Sequence, residues 1–114
     1  MLTLKKAIAK LGLKAVAGYE DDKTTITGVY IGDLLSWVMA NIEKGNAWIT
    51  IQTNVNIIAV ALLGEASCII IAENAEIDEA TINRANEEGF PLFQSPLNAY
   101  EIAIKLSGLL GEEL

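Results

Sequence analysis

The sequence has 114 residues, 52% of them hydrophobic and 20% charged, with a net charge of −7 and no histidine. This length predicts a single domain, residues 1–114, that buries enough surface to fold without disulfides. The negative charge disfavours nucleic acid and membrane surfaces as partners, and the lack of histidine excludes Ser-His and Cys-His catalysis. No apolar run approaches ~18 residues and the N-terminus lacks a signal-peptide pattern, so we expect a cytoplasmic protein.

The first third of the chain contains the patterns of one helix and two strands. Thr3 is a helix-capping residue and Gly12 a helix stop, and apolar residues recur between them at helical spacing. Residues 13–17 and 25–30 are predicted strands, and Gly28 interrupts the second of them.

A helix over residues 32–41 follows. Four of its apolar residues are predicted to face inward: Leu34, Leu35, Val38 and Met39. Trp37 lies off that face, which makes it a candidate for an interface or a pocket wall, with core packing as the alternative.

The middle of the chain predicts two apolar strands, over 47–51 and 67–72, on either side of a helix over 55–63. The second strand is apolar on both faces, as central parallel strands are. Cys68 lies within it, so we expect a buried thiol and not a reactive one.

The last part of the chain predicts a helix over 78–89, a short strand over 91–93 and a helix over 95–106 that Ser95 caps. A tail over 111–114 is expected to fray. Because strands alternate with helices, the fold class is α/β, with three layers, a mostly parallel sheet of about five strands and helices on both faces.

Polar side chains interrupt the apolar sequence after the strand over 47–51. Gln52, Thr53, Asn54 and Asn56 are four polar residues in five positions, although one cap would suffice to start a helix. Ligands bind at the carboxyl ends of parallel strands, and free N–H groups in the first turn of a helix favour an acceptor-rich ligand. The alternative is ordinary turn and capping chemistry.

Other candidate residues lie near neighbouring strand ends, including Gly28, which would allow close backbone approach. The full set of candidate ligand-binding residues is Thr27, Gly28, Asp33, Gln52, Thr53, Asn54 and Asn56.

The helix over 55–63 is apolar around its whole circumference, whereas a helix that covers one face of a sheet needs only an apolar stripe. A subunit interface would cover the surplus, and a two-fold homodimer is the commonest kind. Shielding by the C-terminal helix is the alternative. The candidate interface residues are Trp37, Ile58, Ala61 and Leu62.

The sequence lacks the motifs of common catalytic and cofactor sites. It contains no GxxxxGK[ST] phosphate loop, no GxGxxG and no calcium-loop pattern. We therefore expect no cofactor, no metal and no catalytic activity. Asp33 is the one acid near a plausible cleft that would be tested for catalysis.

Two stretches, TGVYIGDLLS at 27–36 and WITIQT at 48–53, resemble the DRTGG domain family, and in particular its small stand-alone members. The resemblance extends over nearly the whole chain. Two positions depart from the family pattern: Val29 replaces the second glycine of the name motif, and Asn54 replaces the histidine that usually follows "QT". Asn54 keeps hydrogen bonding but cannot titrate.

The resemblance implies a regulatory or assembly role. DRTGG domains are similar to the N-terminal domain of HPr kinase/phosphorylase, which lies apart from its catalytic domain, and they also occur beside CBS domains in regulated pyrophosphatases and in long phosphate acetyltransferases. Our first hypothesis is a non-catalytic, homo-oligomeric sensing module that binds a small metabolite or nucleotide-like ligand at the strand ends. The alternative is a structural module that docks on a separately encoded kinase or redox enzyme.

Overall fold

The computed structural model describes residues 1–20 and 23–113. Strands and helices alternate along most of the chain. In order, the elements are β1 (Leu2–Thr3), α1 (Leu4–Leu11), β2 (Lys14–Ala17), β3 (Thr25–Ile26), β4 (Gly28–Ile31), α2 (Leu35–Asn41), β5 (Asn46–Thr50), α3 (Asn56–Leu63), β6 (Cys68–Ile71), α4 (Glu79–Glu88), β7 (Leu92–Gln94) and α5 (Ala99–Glu112).

The main sheet has five strands in the order β2-β7-β6-β5-β4. Strands β4 to β7 are parallel to one another, and β2 joins the edge beside β7 in the antiparallel direction. Strands β1 and β3 form a separate antiparallel pair. The predicted α/β fold with a mostly parallel sheet of five strands is confirmed.

Two cores lie on opposite faces of this sheet because successive side chains of a strand point to opposite sides. In β5, Ile49 packs on the face that α1 and α5 cover. Its neighbour Trp48 packs on the other face, among residues of α2, α3 and α4. Each fully buried side chain of this size contributes about 1.5–3 kcal/mol to folding, so the central strands carry much of the stability.

The predicted strand over 25–30 is in fact two strands that belong to different sheets. The break falls at Thr27, whose N–H donates to Gly45 O (2.9 Å) and whose hydroxyl donates to Lys44 O (2.8 Å). These two bonds direct the chain away from β1 and onto β5. Gly28 is the first residue of β4, so it marks the boundary.

The helix over 32–41 is shorter and more exposed than predicted. It spans Leu35–Asn41, and Val38 is its one fully buried residue. The prediction that Leu34 and Met39 face inward is wrong, since both are largely exposed. A seven-residue helix at the margin of the sheet needs a narrow apolar stripe, so its other apolar residues face outward.

The last helix begins and ends later than predicted. The predicted cap, Ser95, instead accepts a hydrogen bond from Leu97 N–H within a turn (3.1 Å). Asn98 caps α5, which then runs to Glu112. The tail is ordered through Glu113, which pairs with Lys6 (Nζ–Oε1 3.1 Å), and Leu114 lies outside the described residues. Within the described part of the chain, no helix is long and apolar enough to cross a membrane.

Candidate functional site

At the carboxyl end of the sheet, Asp33, which follows β4, is hydrogen-bonded to the last residue of β5 and to the two residues after it. Asp33 Oδ1 accepts hydrogen bonds from Thr50 Oγ1 (2.8 Å) and from Ile51 N–H (3.0 Å). Gln52 Nε2 donates to the Asp33 carbonyl (2.8 Å). Parallel pairing of β4 with β5 brings these residues together, and their hydrogen bonds fix the two loops to each other.

Asn54 extends this network to the start of α3. Its Nδ2 donates to Gln52 Oε1 (3.1 Å), and its Oδ1 accepts from Asn56 N–H (3.0 Å). The N-cap position of α3 is Val55, which has no side-chain acceptor, so Asn54 takes over part of the capping. Four of the predicted ligand-binding residues therefore lie together: Asp33, Gln52, Asn54 and Asn56.

Thr53 makes a structural contact with the next helix. Its carbonyl accepts hydrogen bonds from Thr81 Oγ1 (2.6 Å) and from Asp78 N–H (3.4 Å). Thr81 is fully buried, and this bond satisfies its hydroxyl. The backbone of Thr53 thus attaches the beginning of α4 to the carboxyl end of the sheet.

Thr27 and Gly28 do not belong to this group, and their inclusion in one site is wrong. Gly28 pairs with Asn46 at the amino ends of β4 and β5, three residues before the Ile31–Ile49 pair. Three residues of strand span ~10 Å, so Gly28 lies at the opposite end of the sheet from Gln52. A Cβ at Gly28 would lie 3.0 Å from Asn46 Nδ2, so the close approach it allows is to a side chain of this chain.

The first-turn N–H groups of α3 are already engaged within the chain, contrary to the expectation that they would hold a ligand. Besides the bond to Asn56, Ile57 N–H donates to Asn54 O and Ile58 N–H to Val55 O, both at 3.2 Å. A ligand at this end of the sheet would therefore contact mainly side chains.

Large apolar side chains surround the polar network and are exposed. The exposed fractions are 49% for Ile31, 67% for Leu34, 65% for Trp37, 50% for Ile51 and 39% for Val55. We call these five residues the carboxyl-end surface. All five lie around the polar network: Ile31 and Leu34 flank Gly32–Asp33, the Ile51 amide bonds to Asp33, Leu34 and Trp37 are three residues apart at the start of α2, and Val55 follows Asn54.

The sequence prediction missed most of the carboxyl-end surface. Ile51 ends the predicted apolar strand over 47–51 and Leu34 was predicted to face inward, while Ile31 lies just after the predicted strand over 25–30 and was not assigned. Trp37 was predicted to lie off the inward face of its helix, with core packing as the alternative, and it is 65% exposed. Exposed apolar groups that adjoin one another on a small domain mark interaction sites.

The predicted interface on α3 is largely used inside the subunit. Ile58 and Ala61 are fully buried, so their assignment to a subunit interface is wrong for this structure. Helix α3 lies between α2 and α4 on one face of the sheet, and these neighbours cover it, whereas the C-terminal helix α5 lies on the other face. Leu62 is 38% exposed and keeps some accessible surface.

Two depressions in the described surface lie away from the carboxyl-end surface. One of about 510 Å³ lies between the β1–β3 pair and the end of α5, and another of about 470 Å³ is lined by residues that precede β4, β5 and β6. Thr27 lines both. Among residues 1–20 and 23–113, no three or more acidic or cysteine side chains are placed to share a metal ion.

The one cysteine of the chain, Cys68, is buried and unreactive. Burial raises the pKa of the Cys68 thiol to about 12, although a hydrogen bond with Ser67 acts in the opposite direction. At neutral pH the thiol is therefore protonated and inaccessible, in agreement with the sequence expectation of a buried residue.

Comparisons with known proteins identify a family for the chain and a solved structure with a similar fold. The model of the DRTGG domain family matches residues 8–109. Among curated proteins, no sequence matches the chain significantly.

A similar solved structure is that of the CBS and DRTGG domains of the regulatory region of Clostridium perfringens pyrophosphatase, complexed with its activator diadenosine tetraphosphate. The TM-score is 0.75 at 15% sequence identity, and the match covers 91% of this chain and 45% of that one. The chain thus spans about half the length of that regulatory region, and at this identity the likeness concerns the fold.

Proposed function

Because the chain belongs to the DRTGG domain family, we propose that it is a non-catalytic regulatory module that acts by self-association through the carboxyl-end surface. A similar solved structure is that of the regulatory region of a pyrophosphatase.

The observation that carries this proposal is the exposed apolar character of the carboxyl-end surface together with its internal polar network. Asp33, Gln52 and Asn54 satisfy much of one another's hydrogen bonding, so a partner could cover them without leaving many polar groups unpaired. The surrounding apolar side chains would then lose water on association, which is the dominant favourable term in most protein interfaces.

The proposal predicts that a charge in the carboxyl-end surface dissociates the assembly. Leu34→Glu should weaken self-association at least ~10-fold, since it places two charges in an apolar contact and ~1.4 kcal/mol already corresponds to a factor of ten. Leu63→Glu is the matched control, because Leu63 is similarly exposed (73%) but lies at the far end of α3, near the amino ends of the strands.

Sedimentation velocity and native mass spectrometry over a concentration series measure the effect, and circular dichroism verifies that both variants fold. Equal dissociation constants for Leu34→Glu and the unmodified chain would contradict the proposal. So would an unmodified chain that is monomeric at every concentration.

A second candidate function is ligand sensing at the same end of the sheet. It is favoured by the side chains that stay available: the Asn56 amide and Asp33 Oδ2 are exposed and make no hydrogen bond to another described residue. The structural neighbour was crystallised with a nucleotide activator, which makes a nucleotide-like ligand the first to test. In the same native spectra, an added mass on the unmodified protein would support this candidate.

A further inference from the structure

Strand β4 has an open edge. It is the last strand of the five-stranded sheet and pairs with β5 on one side. Within the described residues, no backbone hydrogen bond joins residues 28–31 to any element on the other side. The outward N–H and C=O groups of this strand therefore form a template for one more strand.

The two edges of the sheet differ in how they are protected. The opposite edge strand, β2, begins with an exposed lysine, Lys14, and its register shifts between Ala15 and Ala17. Charged residues and irregular register are the usual devices that prevent edge-to-edge pairing. The segment GVYI of β4 has neither a charge nor a proline, so the protection at one edge is missing at the other.

The surface beside β4 is also free of charge. Between residues 27 and 42, Asp33 is the one charged residue, although the chain carries a net charge of −7. Two copies of an acidic chain repel each other over most of their surface, and a neutral segment is where they approach at least cost. A basic partner protein would find little here to attract it, so this composition favours a second copy of the same chain.

We infer that β4 pairs with β4 of a second copy, antiparallel about a two-fold axis, and joins two five-stranded sheets into one of ten strands. The inference rests on the proposed self-association and places its main contact along the β4 edge, at the side of the carboxyl-end surface formed by Ile31 and Leu34. A two-fold contact uses the same surface on both copies, and the protected β2 edge prevents further addition, so the assembly ends at a dimer.

The position of α2 supports this geometry. Helix α2 covers the face of the sheet where the Tyr30 side chain of β4 packs against Val38 and its neighbours. Since β4 is the edge strand, α2 is the helix nearest that edge on this face. Pairing of the strands would bring the α2 helices of both copies side by side in opposite directions, so the exposed Leu34 and Trp37 side chains of each copy would lie toward the C-terminal end of the other copy's α2.

One amide reports directly on the pairing. Gly32 N–H donates toward β5, to Ile49 O (3.3 Å). Because successive N–H groups of a strand point to opposite sides, the Ile31 N–H points away from β5, into the open edge. In a monomer it exchanges with solvent freely, and in the inferred dimer it is hydrogen-bonded to the other copy.

The test combines a variant with this amide. Ile31→Lys should weaken dimerisation at least ~10-fold, because it places a lysine of each copy beside the shared edge. Ile104→Lys is the control: Ile104 is equally exposed (51% against 49%), lies on the side of α5 opposite its buried residues, and gives the same net charge. In the unmodified protein, hydrogen exchange of the Ile31 amide, followed by NMR, should slow as concentration rises through the dissociation constant.

The outcomes separate the inference from the proposal it rests on. A dimer that Leu34→Glu dissociates, but in which the Ile31 amide exchanges freely and Ile31→Lys has no effect, overturns strand pairing and leaves self-association intact. A monomer at all concentrations overturns both. Protection of the Ile31 amide together with selective loss of the dimer in Ile31→Lys supports the inference.

Discussion

Cys68 illustrates how one buried residue sets a pH limit on stability. The thiol of an unfolded chain has an ordinary pKa of 9.0, and burial in β6 raises the pKa in the folded protein to about 12. As pH rises through this window, the unfolded state loses its proton first, so the free energy of unfolding falls with a slope of about 1.4 kcal/mol per pH unit. Below about pH 9 both states keep the proton and the full stability is present.

We therefore predict that the unmodified protein loses about 1–2 kcal/mol more stability than Cys68→Ala between about pH 8 and pH 10. Urea denaturation at both values measures this, and the difference between the two proteins removes the contribution of titrating lysines and tyrosines. Rapid modification of the native protein by a thiol reagent at the lower pH would contradict the burial on which the prediction rests.

For single residues, the sequence identified the polar side chains at the strand ends but not whether their hydrogen-bonding groups are free or already bonded within the chain. An excess of amides at 52–56 was enough to predict that Gln52, Asn54 and Asn56 lie near Asp33. Whether such groups are free depends on positions accurate to a few tenths of an ångström, and here Asp33, Gln52 and Asn54 are bonded mainly to one another. Thr27 was predicted to lie in the same site as Asp33. The two are close in sequence, but strand β4 lies between them and places them at opposite ends of the sheet.

Among the elements, α5 begins at a different cap from the predicted one: Asn98 caps the helix, and Ser95 does not. Ser95-Pro96 has the pattern of a helix start, but Ser95 is tied to the sheet, with its N–H donating to Ile71 O and its carbonyl accepting from Asn74 N–H. The helix begins instead at a capping box, in which Asn98 Oδ1 accepts from Glu101 N–H (2.9 Å) and Glu101 Oε1 accepts from Asn98 N–H (3.2 Å). Sheet contacts of this kind are long-range, so a local pattern does not contain them.

This capping box predicts a measurable contribution from one exposed side chain. Asn98→Ala should lower the free energy of unfolding by about 1 kcal/mol, within a range of about 0.5–2, because the Glu101 N–H loses its side-chain acceptor. Asn83→Ala is the control, since Asn83 is exposed inside α4 and alanine there improves helix propensity. Urea denaturation of the three proteins measures the difference, and equal stability of Asn98→Ala and the unmodified chain would exclude the capping role.

Helices α2 and α3 show the limit of apolar periodicity. The full apolar circumference of α3 was interpreted as a sign of a second subunit, but a helix between two others is covered by its own chain. The exposed large apolar side chains of this part of the chain lie on α2, at the strand ends and in the last turn of α3, at Leu62 and Leu63. A helix's position in its layer decides which apolar residues are exposed, and that position follows from strand order.

At the level of the whole molecule, the sequence was sufficient for the architecture but not for the strand order. Alternating strands and helices predicted the α/β class, and the apolar β6 predicted a central parallel strand. The division of residues 25–30 between two sheets, and the placement of β4 at an edge, depend on pairings between distant parts of the chain. The open edge on which the dimer is inferred was therefore invisible before the structure.

The net charge of the chain fixes the direction in which salt changes the affinity of the dimer. Each copy carries −7, and the inferred contact offers few charges for an ion pair, because Asp33 is the one charged residue between positions 27 and 42. Association must then overcome a long-range repulsion that salt screens, with a Debye length of ~10 Å at ~0.1 M. Raising NaCl from ~0.05 M to ~0.5 M should tighten the dimer several-fold, as measured by sedimentation equilibrium, because the apolar contact and strand pairing survive in salt. A dimer that dissociates as salt rises would mean that charge pairs hold the two copies together, which is incompatible with a contact through the neutral β4 edge.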